Sequence, residues 1–409
     1  MSKGLSKRQK KEVHKFALAN WKVLLAIFLI LVVLCVVAYY LGWFEKLKNY
    51  FDKDDEPVMS VAGGHETRVE RLEDLQVNFL DIGQGDCIII ELPDGKNMII
   101  DSGDGNSDQT VIRNFTTENN IETFDYLLLT HQDADHVANM DWVLENYKVN
   151  YVFRPNNYSK HDSSASLPSE FNPVISDKDA VSTTKAYADF MVAAYNEGCV
   201  VEVFNKDSDF TNYILCGDEK YSYTFNFLTP TANKSEIIYE IPNDYSPILT
   251  LEYAGKKVMF TGDAELDVLD EYVSAYGDDI NVDVLKVGHH GSNNATSSEF
   301  LSCIDPEFAV IQCGQGNSYG HPHASVLSAL KNHDAGIAIY RNDCNGGIEL
   351  SISLSGSISW DFERSDMSYN DMTGDEFKNI VLSAMSCDSS AVVVELGHMW
   401  YSKKESFVM

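Results

Sequence analysis

FDYLLLTHQDADHVANMDWVLENY, Phe124 to Tyr147, runs from a strand pattern into a helix pattern through a loop crowded with metal-binding side chains. Phe124 to Thr130 is a short apolar run with a polar stop, which predicts a strand. From Val137 to Tyr147, the residues Val137, Met140, Val143 and Leu144 fall on one face at helical spacing. His131, Asp133, Asp135 and His136 lie between, on a tight strand-to-helix loop. Alternating ligands let one short loop serve two adjacent metals. A single His–Asp pair in such a loop usually does no more than cap the helix. Four candidate ligands in one loop, backed by distant partner segments, go beyond capping.

The partner segments are TGD, Thr261 to Asp263; GHHGS, Gly288 to Ser292; and GHPH, Gly320 to His323. Together with the first loop they hold six of the 11 histidines. Imidazoles and carboxylates that converge after strands suit a pair of divalent cations, so a metal-dependent hydrolase is the leading reading.

HxDxDH, TGD and GHHGS together resemble the metallo-β-lactamase superfamily, and in particular the hydrolase domain at the C-terminal end of ComEC-type DNA-uptake proteins. FLDIGQGDCIII (Phe79 to Ile90) and MIIDSGDG (Met98 to Gly105) look like that branch's opening hairpin. SPILTLEYAGKKVMFTGDAE, VDVLKVGHHGS and NSYGHPH agree with it too. The resemblance spans about residues 74–362. It implies an α/β fold, the αββα sandwich, with the metal site at one edge between the two sheets.

The resemblance also implies residue roles. His131 and Asp133 would bind one metal, Asp135 and His136 the second, and Asp263 would bridge both. His290 would complete the second site. The catalytic candidates are Asp135, His289, His321 and His323: His289 is placed to touch substrate, while His321 and His323 would protonate a leaving group or bind phosphate. Asp101, after a strand, would brace the loop as an acceptor. Two departures from the wider superfamily matter. Asp133 stands where the commonest pattern, HxHxDH, has a histidine. The additional histidine usual before TGD is missing, since His161 is the one histidine in that stretch and sits in a polar segment. The ComEC-like branch shows both departures. An oxygen-rich site is harder, which makes manganese a competitor to zinc for the two positions. A metal there would lower the pKa of bound water toward neutrality, giving hydroxide as nucleophile, and a second would steady the developing oxyanion. Phosphodiester and acyl bonds are both open to such a site, because fold does not choose substrate.

Elsewhere, Val23 to Trp43 is an uncharged apolar run long enough to cross a bilayer. Lys3, Lys7, Arg8, Lys10, Lys11, Lys15 and Lys22 precede it, with aromatics at its ends. The positive-inside rule places residues 1–22 in the cytoplasm and the rest outside, at the membrane of a bacterial envelope. A cleaved signal peptide is the competing reading, disfavoured by the length of the run and the lack of a small-x-small site. One span does not make a channel, so the expectation is that this chain does not move DNA across a membrane by itself. Residues 44–73 read as a tether, 74–362 as the hydrolase domain and 363–409 as an extension of undefined role. Between Tyr147 and Ser246 lies an elaborated region with a helix-like stretch, Asp177 to Gly198. Tyr158, Phe171, Tyr213 and Tyr245 are substrate-contact candidates there, with local packing the commoner fate of such aromatics. Asp375 to Met385 predicts a short helix and Ala391 to Trp400 a strand in which His398 stands isolated. Cys87, Cys303 and Cys313 sit in apolar segments as small hydrophobes, with no disulfide framework.

The formal net charge is −31 and the first 22 residues are basic, so the remainder is more acidic still. Long DNA is normally gripped by basic patches, and here general electrostatics would oppose it. Three readings stand: an anchored extracytoplasmic phosphodiesterase or nuclease; a hydrolase of small or cell-wall phosphoesters, such as phosphocholine, or of acyl bonds; and a non-catalytic metal-holding surface module.

Overall fold

Strand after strand alternates between two apolar surfaces, and that alternation builds the layers. In the computed structural model the described residues are 74–159, 161–168, 184–208, 210–213, 222–232, 239–365 and 368–386. All belong to the unit Arg68–Met409. The apolar run 23–43, the tether, Phe171, the side chain of Tyr213, and the strand expected at 391–400 with His398 lie outside what is described. Among the described residues no helix is long and apolar enough to cross a membrane.

The first sheet holds β1 (Leu75–Phe79), β2 (Ile88–Glu91), β3 (Asn97–Ile100), β4 (Thr123–Leu128), β5 (Lys148–Arg154) and β6 (Val200–Val203), with β14 (Ile348–Ile352) and β15 (Ile358–Phe362) added beyond β1. The second holds β7 (Phe210–Tyr213), β8 (Ser222–Phe227), β9 (Leu249–Tyr253), β10 (Lys256–Phe260), β11 (Val284–Lys286), β12 (Phe308–Ile311) and β13 (Ala338–Arg341) in sequence order. β3 to β6 run parallel, as do β10 to β13. The remaining pairs are antiparallel, including the opening β1–β2 hairpin, where Phe79 faces Ile88.

Ile88 and Ile90 point between the sheets, into a core with Phe79, Phe225, Leu251 and Phe260. Ile89, one residue out of phase, points the other way, into a second core under α1 (Asn106–Glu118), α3 (Met140–Asn146) and α4 (Lys185–Glu197), reached by Ile112, Val143 and Phe190. Met259 and Leu285 likewise face α5 (Leu266–Tyr276), α6 (Ser298–Ile304) and α7 (Ala324–His333) across a third core. Three cores need four layers, helix–sheet–sheet–helix. Each large apolar side chain fully buried in them contributes on the order of 1.5–3 kcal/mol.

The helix expected from Val137 to Tyr147 is interrupted. α2 (Ala134–Val137) ends and α3 begins at Met140, with Asn139 at its N-cap position. The Asn139 amide donates to the carbonyls of Ser102 (3.0 Å) and Gly105 (3.1 Å) and accepts from Gln109 (2.9 Å), so its side chain ties this turn to the β3–α1 loop. The apolar face survives the break: Val137, Met140, Val143 and Leu144 are all buried. Tyr158 and Tyr245 are buried too, which makes them packing residues rather than substrate contacts. After the single turn α8 (Asn342–Asn345), the helix near the C-terminus, α9, spans Gly374–Ser386. Cys87 and Cys313 are free and buried, while Cys303 is free and partly buried.

Candidate metal centre

Loops leaving the carboxyl ends of β3, β4, β10, β11 and β12 meet at one edge of the sandwich, where parallel α/β sheets commonly bind ligands. The β3 loop supplies Asp101, held at φ 56°. Its carboxylate accepts from Thr130 N (2.9 Å) and Thr130 Oγ1 (2.6 Å) and lies 2.7 Å from His136 Nδ1. That contact turns His136 Nε2 toward Asp263, 3.2 Å from Oδ2.

His290 is oriented the same way from the other sheet. It follows β11 in left-handed backbone (φ 54°), with Nδ1 3.0 Å from the Gln312 carbonyl. Its Nε2 faces Asp263 Oδ2 and Asp135 Oδ2, each at 3.3 Å. His131 Nδ1 lies near Thr130 Oγ1 (3.1 Å) and Ser246 Oγ (3.2 Å), and that serine hydroxyl accepts from Asp263 N (3.0 Å). One hydroxyl thus couples His131 after β4 to Asp263 after β10.

The outcome is a set of buried atoms with no hydrogen-bond partner: His131 Nε2, His136 Nε2, His290 Nε2 and Asp263 Oδ1. Orphaned buried polar atoms are costly and rare. Here they come from three imidazoles and one carboxylate, donors that a divalent cation takes, so the residues fit a metal. Asp135 and Asp133 stand at the open side, their side chains 31% and 41% exposed. Asp133 Oδ2 is 3.8 Å from His131 Nε2.

Charge follows from this crowding. Burial alone would lower His136 and His290, but Asp263 foremost, with Asp101 or Asp135, outweighs it and holds both rings well above the ordinary imidazole range. Burial likewise works to raise Asp263, and the same two rings hold it well below the carboxylate range. His131, buried and beside His136, is pushed down to about 3. Asp133 is raised, chiefly by burial. Asp135 is lowered because His136 and His290 outweigh its burial.

The other predicted residues form the rim. His289 Nδ1 lies 3.4 Å from Glu265 Oε1 and its Nε2 3.8 Å from Asp263. The His321 ring centre is 6.2 Å from that of His290 and 4.8 Å from that of His323. His321 Nδ1 is buried without a partner, and burial with nearby rings pushes this imidazole down to about 3. His323 accepts from Asn293 N at 3.1 Å and stands at the N-cap of α7. His161 lies apart: it caps a 3₁₀ turn, Asp162–Ser164, and accepts from Ser163 N.

Two residues of the centre went unrecognised in the sequence. Asp86 offers an atom within 4.8 Å of ligand atoms on His136, Asp263 and His290. One of its oxygens bonds Lys286 Nζ, and the other is 3.3 Å from His290 Nδ1. Because that nitrogen points away from Asp263, we read Asp86 as orienting His290, with the cation on the Nε2 side. Lys286 also donates to the Gly262 carbonyl at 3.3 Å. A lysine ending the apolar strand VDVLK, and an aspartate two residues past GQ in GQGD, were the available signals. Gly85 is required beside it, since a Cβ there would sit 2.5 Å from the Asp135 carbonyl oxygen.

Residues 80–181 match the metallo-beta-lactamase superfamily. The chain is 29% identical over 292 residues to ComE operon protein 3 of Bacillus subtilis, covering 67% of this chain and 32% of that protein. It is 31% identical over 144 residues to competence protein ComA of Neisseria gonorrhoeae, covering 34% of this chain and 20% of that protein. The chain thus spans about a third or less of the length of these relatives. Among solved structures, the metallo-beta-lactamase fold protein YhfI of Bacillus subtilis aligns at 12% identity and TM-score 0.39, over 71% of this chain and 100% of that one. Residues 80–181 thus carry the metallo-beta-lactamase match, and over longer stretches the chain is similar to ComEC-type competence proteins; the two-sheet sandwich with its histidine–aspartate edge agrees with both.

Proposed function

We propose that the chain is a metal-dependent phosphodiesterase of the nuclease type. Residues 23–43 would anchor it in a membrane, with the domain extracytoplasmic. The observation that carries the reading is the convergence of His136 and His290 Nε2 on Asp263, at 3.2 and 3.3 Å, with the His131 ring beside that of His136 and all three Nε2 atoms buried without a hydrogen-bond partner. His131, Asp133, Asp135, His136, Asp263 and His290 would hold one or two divalent ions, zinc or manganese. When bound, such ions supply an activated water and stabilise charge developing on a phosphoryl oxygen. The chain's own residues do the rest. Asp101 and the Gln312 carbonyl fix the ring orientations of His136 and His290. Asp135, held ionised at the open side, accepts a hydrogen bond from the incoming nucleophile. His321, neutral at pH 7, offers a ring N–H as hydrogen-bond donor to the leaving oxygen or a phosphate oxygen.

The site loops 130–136, 261–265, 288–293 and 314–323 contain no Lys or Arg. Lys286, which does reach the centre, is committed to Asp86. Phosphate recognition therefore falls on metal and neutral donors, which favours a short phosphodiester, or the end of a strand, over a gripped duplex. The names of the relatives, competence proteins, fit a DNA-directed role. The test uses the full chain in detergent, loaded with manganese or zinc, on bis-p-nitrophenyl phosphate and linear DNA, with chelator and Asp263→Asn controls. Metal-dependent cleavage of the ester, abolished in both controls, is expected. Cleavage of acyl esters with neither phosphodiester touched would overturn the proposal.

A further inference from the structure

Among the described residues Tyr319 is the most exposed of the large hydrophobic side chains, at 64%, and it stands beside the metal centre. One face of its ring lies on His321, with centroids 5.5 Å apart and planes 21° from parallel. His321 in turn stacks toward His290 at 28°. Three rings thus lead from a metal-facing imidazole to solvent, and the outer face of the last one is open.

The loop fixes this ring. The Asn317 side chain accepts from Tyr319 N (3.1 Å) and His321 N (3.0 Å), and donates to the carbonyls of Gly314 (2.9 Å) and His321 (2.7 Å). Lys378 on α9 donates to the Asn317 carbonyl at 3.3 Å, and Gly374 N to that of Pro322 at 3.1 Å. A solvent-exposed aromatic normally lies flat on the surface or packs away. This one is held out on an asparagine-braced turn.

We infer that Tyr319 is a stacking platform for a nucleobase next to the scissile phosphodiester, a role that rests on the phosphodiesterase reading above. Stacking is what this surface has to offer: the site loops carry no Lys or Arg and Lys378 is bonded to the Asn317 carbonyl, while every base presents an aromatic face whatever its sequence. Tyr319 therefore sets substrate class, favouring nucleotide esters over aliphatic ones.

The experiment is equilibrium binding to the full manganese-loaded chain in detergent. The probe is the fluorescent base analogue 2-aminopurine as its nucleoside 5′-monophosphate. Wild type and Tyr319→Phe should quench and bind it alike. Tyr319→Ala, altered at an exposed position, should bind it about five- to a hundredfold more weakly. Ribose 5-phosphate, which has no base, should compete equally in all three. Equal nucleotide binding by wild type and Tyr319→Ala, or no binding by wild type, overturns the inference. So does a Tyr319→Ala defect confined to p-nitrophenyl esters, which would assign the ring to an aryl group. Hydrolysis of bis-p-nitrophenyl phosphate is scored in parallel. Its absence with base-dependent binding intact refutes the catalytic reading alone, and its presence with no Tyr319 effect refutes the platform alone.

Discussion

Lys286→Met removes a cation buried against the metal centre while keeping most of the side chain's length. Lys286 and Asp86 are 1% and 2% exposed. Burial works to raise the Asp86 carboxyl, and Lys286 first, then His290, more than offsets this, so the group stays below its ordinary value. Without the ammonium, Asp86 must remain charged against His290 alone or take up a proton. Breaking a buried pair from one side costs about 3–5 kcal/mol, whereas replacing both partners by apolar groups is often neutral. At ~2–4 °C per kcal/mol, the variant should melt roughly 6–20 °C lower. Lys286→Met with Asp86→Leu should recover most of the loss.

Calorimetry on the metal-free chain at pH 7 and fixed salt is the assay. The sign with pH follows from the lowered carboxyl. The pair's contribution is present above the unfolded value of 3.8 and is lost as pH falls through the folded one. The difference between wild type and Lys286→Met should therefore shrink on acidification. The double variant leaves His290 without Asp86 but with the Gln312 carbonyl, so its metal affinity should fall about ten- to a hundredfold rather than vanish. A single variant melting within about 2 °C of wild type would refute the reasoning, as would a double variant no more stable than the single one.

Asp263→Asn should abolish turnover while the chain stays folded, with bound metal read by elemental analysis; retained activity would sink the bridging role. Metal-dependent stabilisation should grow between about pH 6 and 8, because bound cations displace protons from His136 and His290. In the metal-free chain those raised rings stabilise the fold fully below the unfolded value of 6.5, and this support declines as pH rises toward the folded values. Thermal melts with and without manganese across that range check both slopes, and parallel curves would contradict them. At a hundredfold excess over its dissociation constant, metal should add about 2.7 kcal/mol, removable by chelator. Gly374→Ala sets a Cβ against the His321 carbonyl. It should slow turnover with metal stoichiometry unchanged, whereas loss of metal would mean that α9 supports the whole centre and not the 317–323 loop alone.

Whether a residue was legible in the sequence depended on whether its chemistry was local. His131 to His136 sit within one loop, and their spacing alone suggests ligands. Asp86 and Lys286 are 200 positions apart. Each looks ordinary by itself, one as a polar residue in a glycine turn and the other as a strand's polar end. Only the meeting of the β1–β2 loop with β11 makes them a pair. The interruption at Asn139 escaped for the same reason: helical periodicity at Val137, Met140 and Val143 continues across the break, while the cause of the break is carbonyls on the β3–α1 loop. The sandwich itself was within reach through the resemblance that HxDxDH, TGD and GHHGS carry, each motif being local. Ile88, Ile89 and Ile90 read as one apolar run, and such a run fits a strand with a core on each face. Tyr319 marks the limit of that logic. Nothing in NSYGHPH separates a braced, outward aromatic from a packed one. The difference lies in Asn317, whose side chain takes both the Tyr319 and His321 amides and so turns two neighbouring rings into a single stack facing the metal ligands.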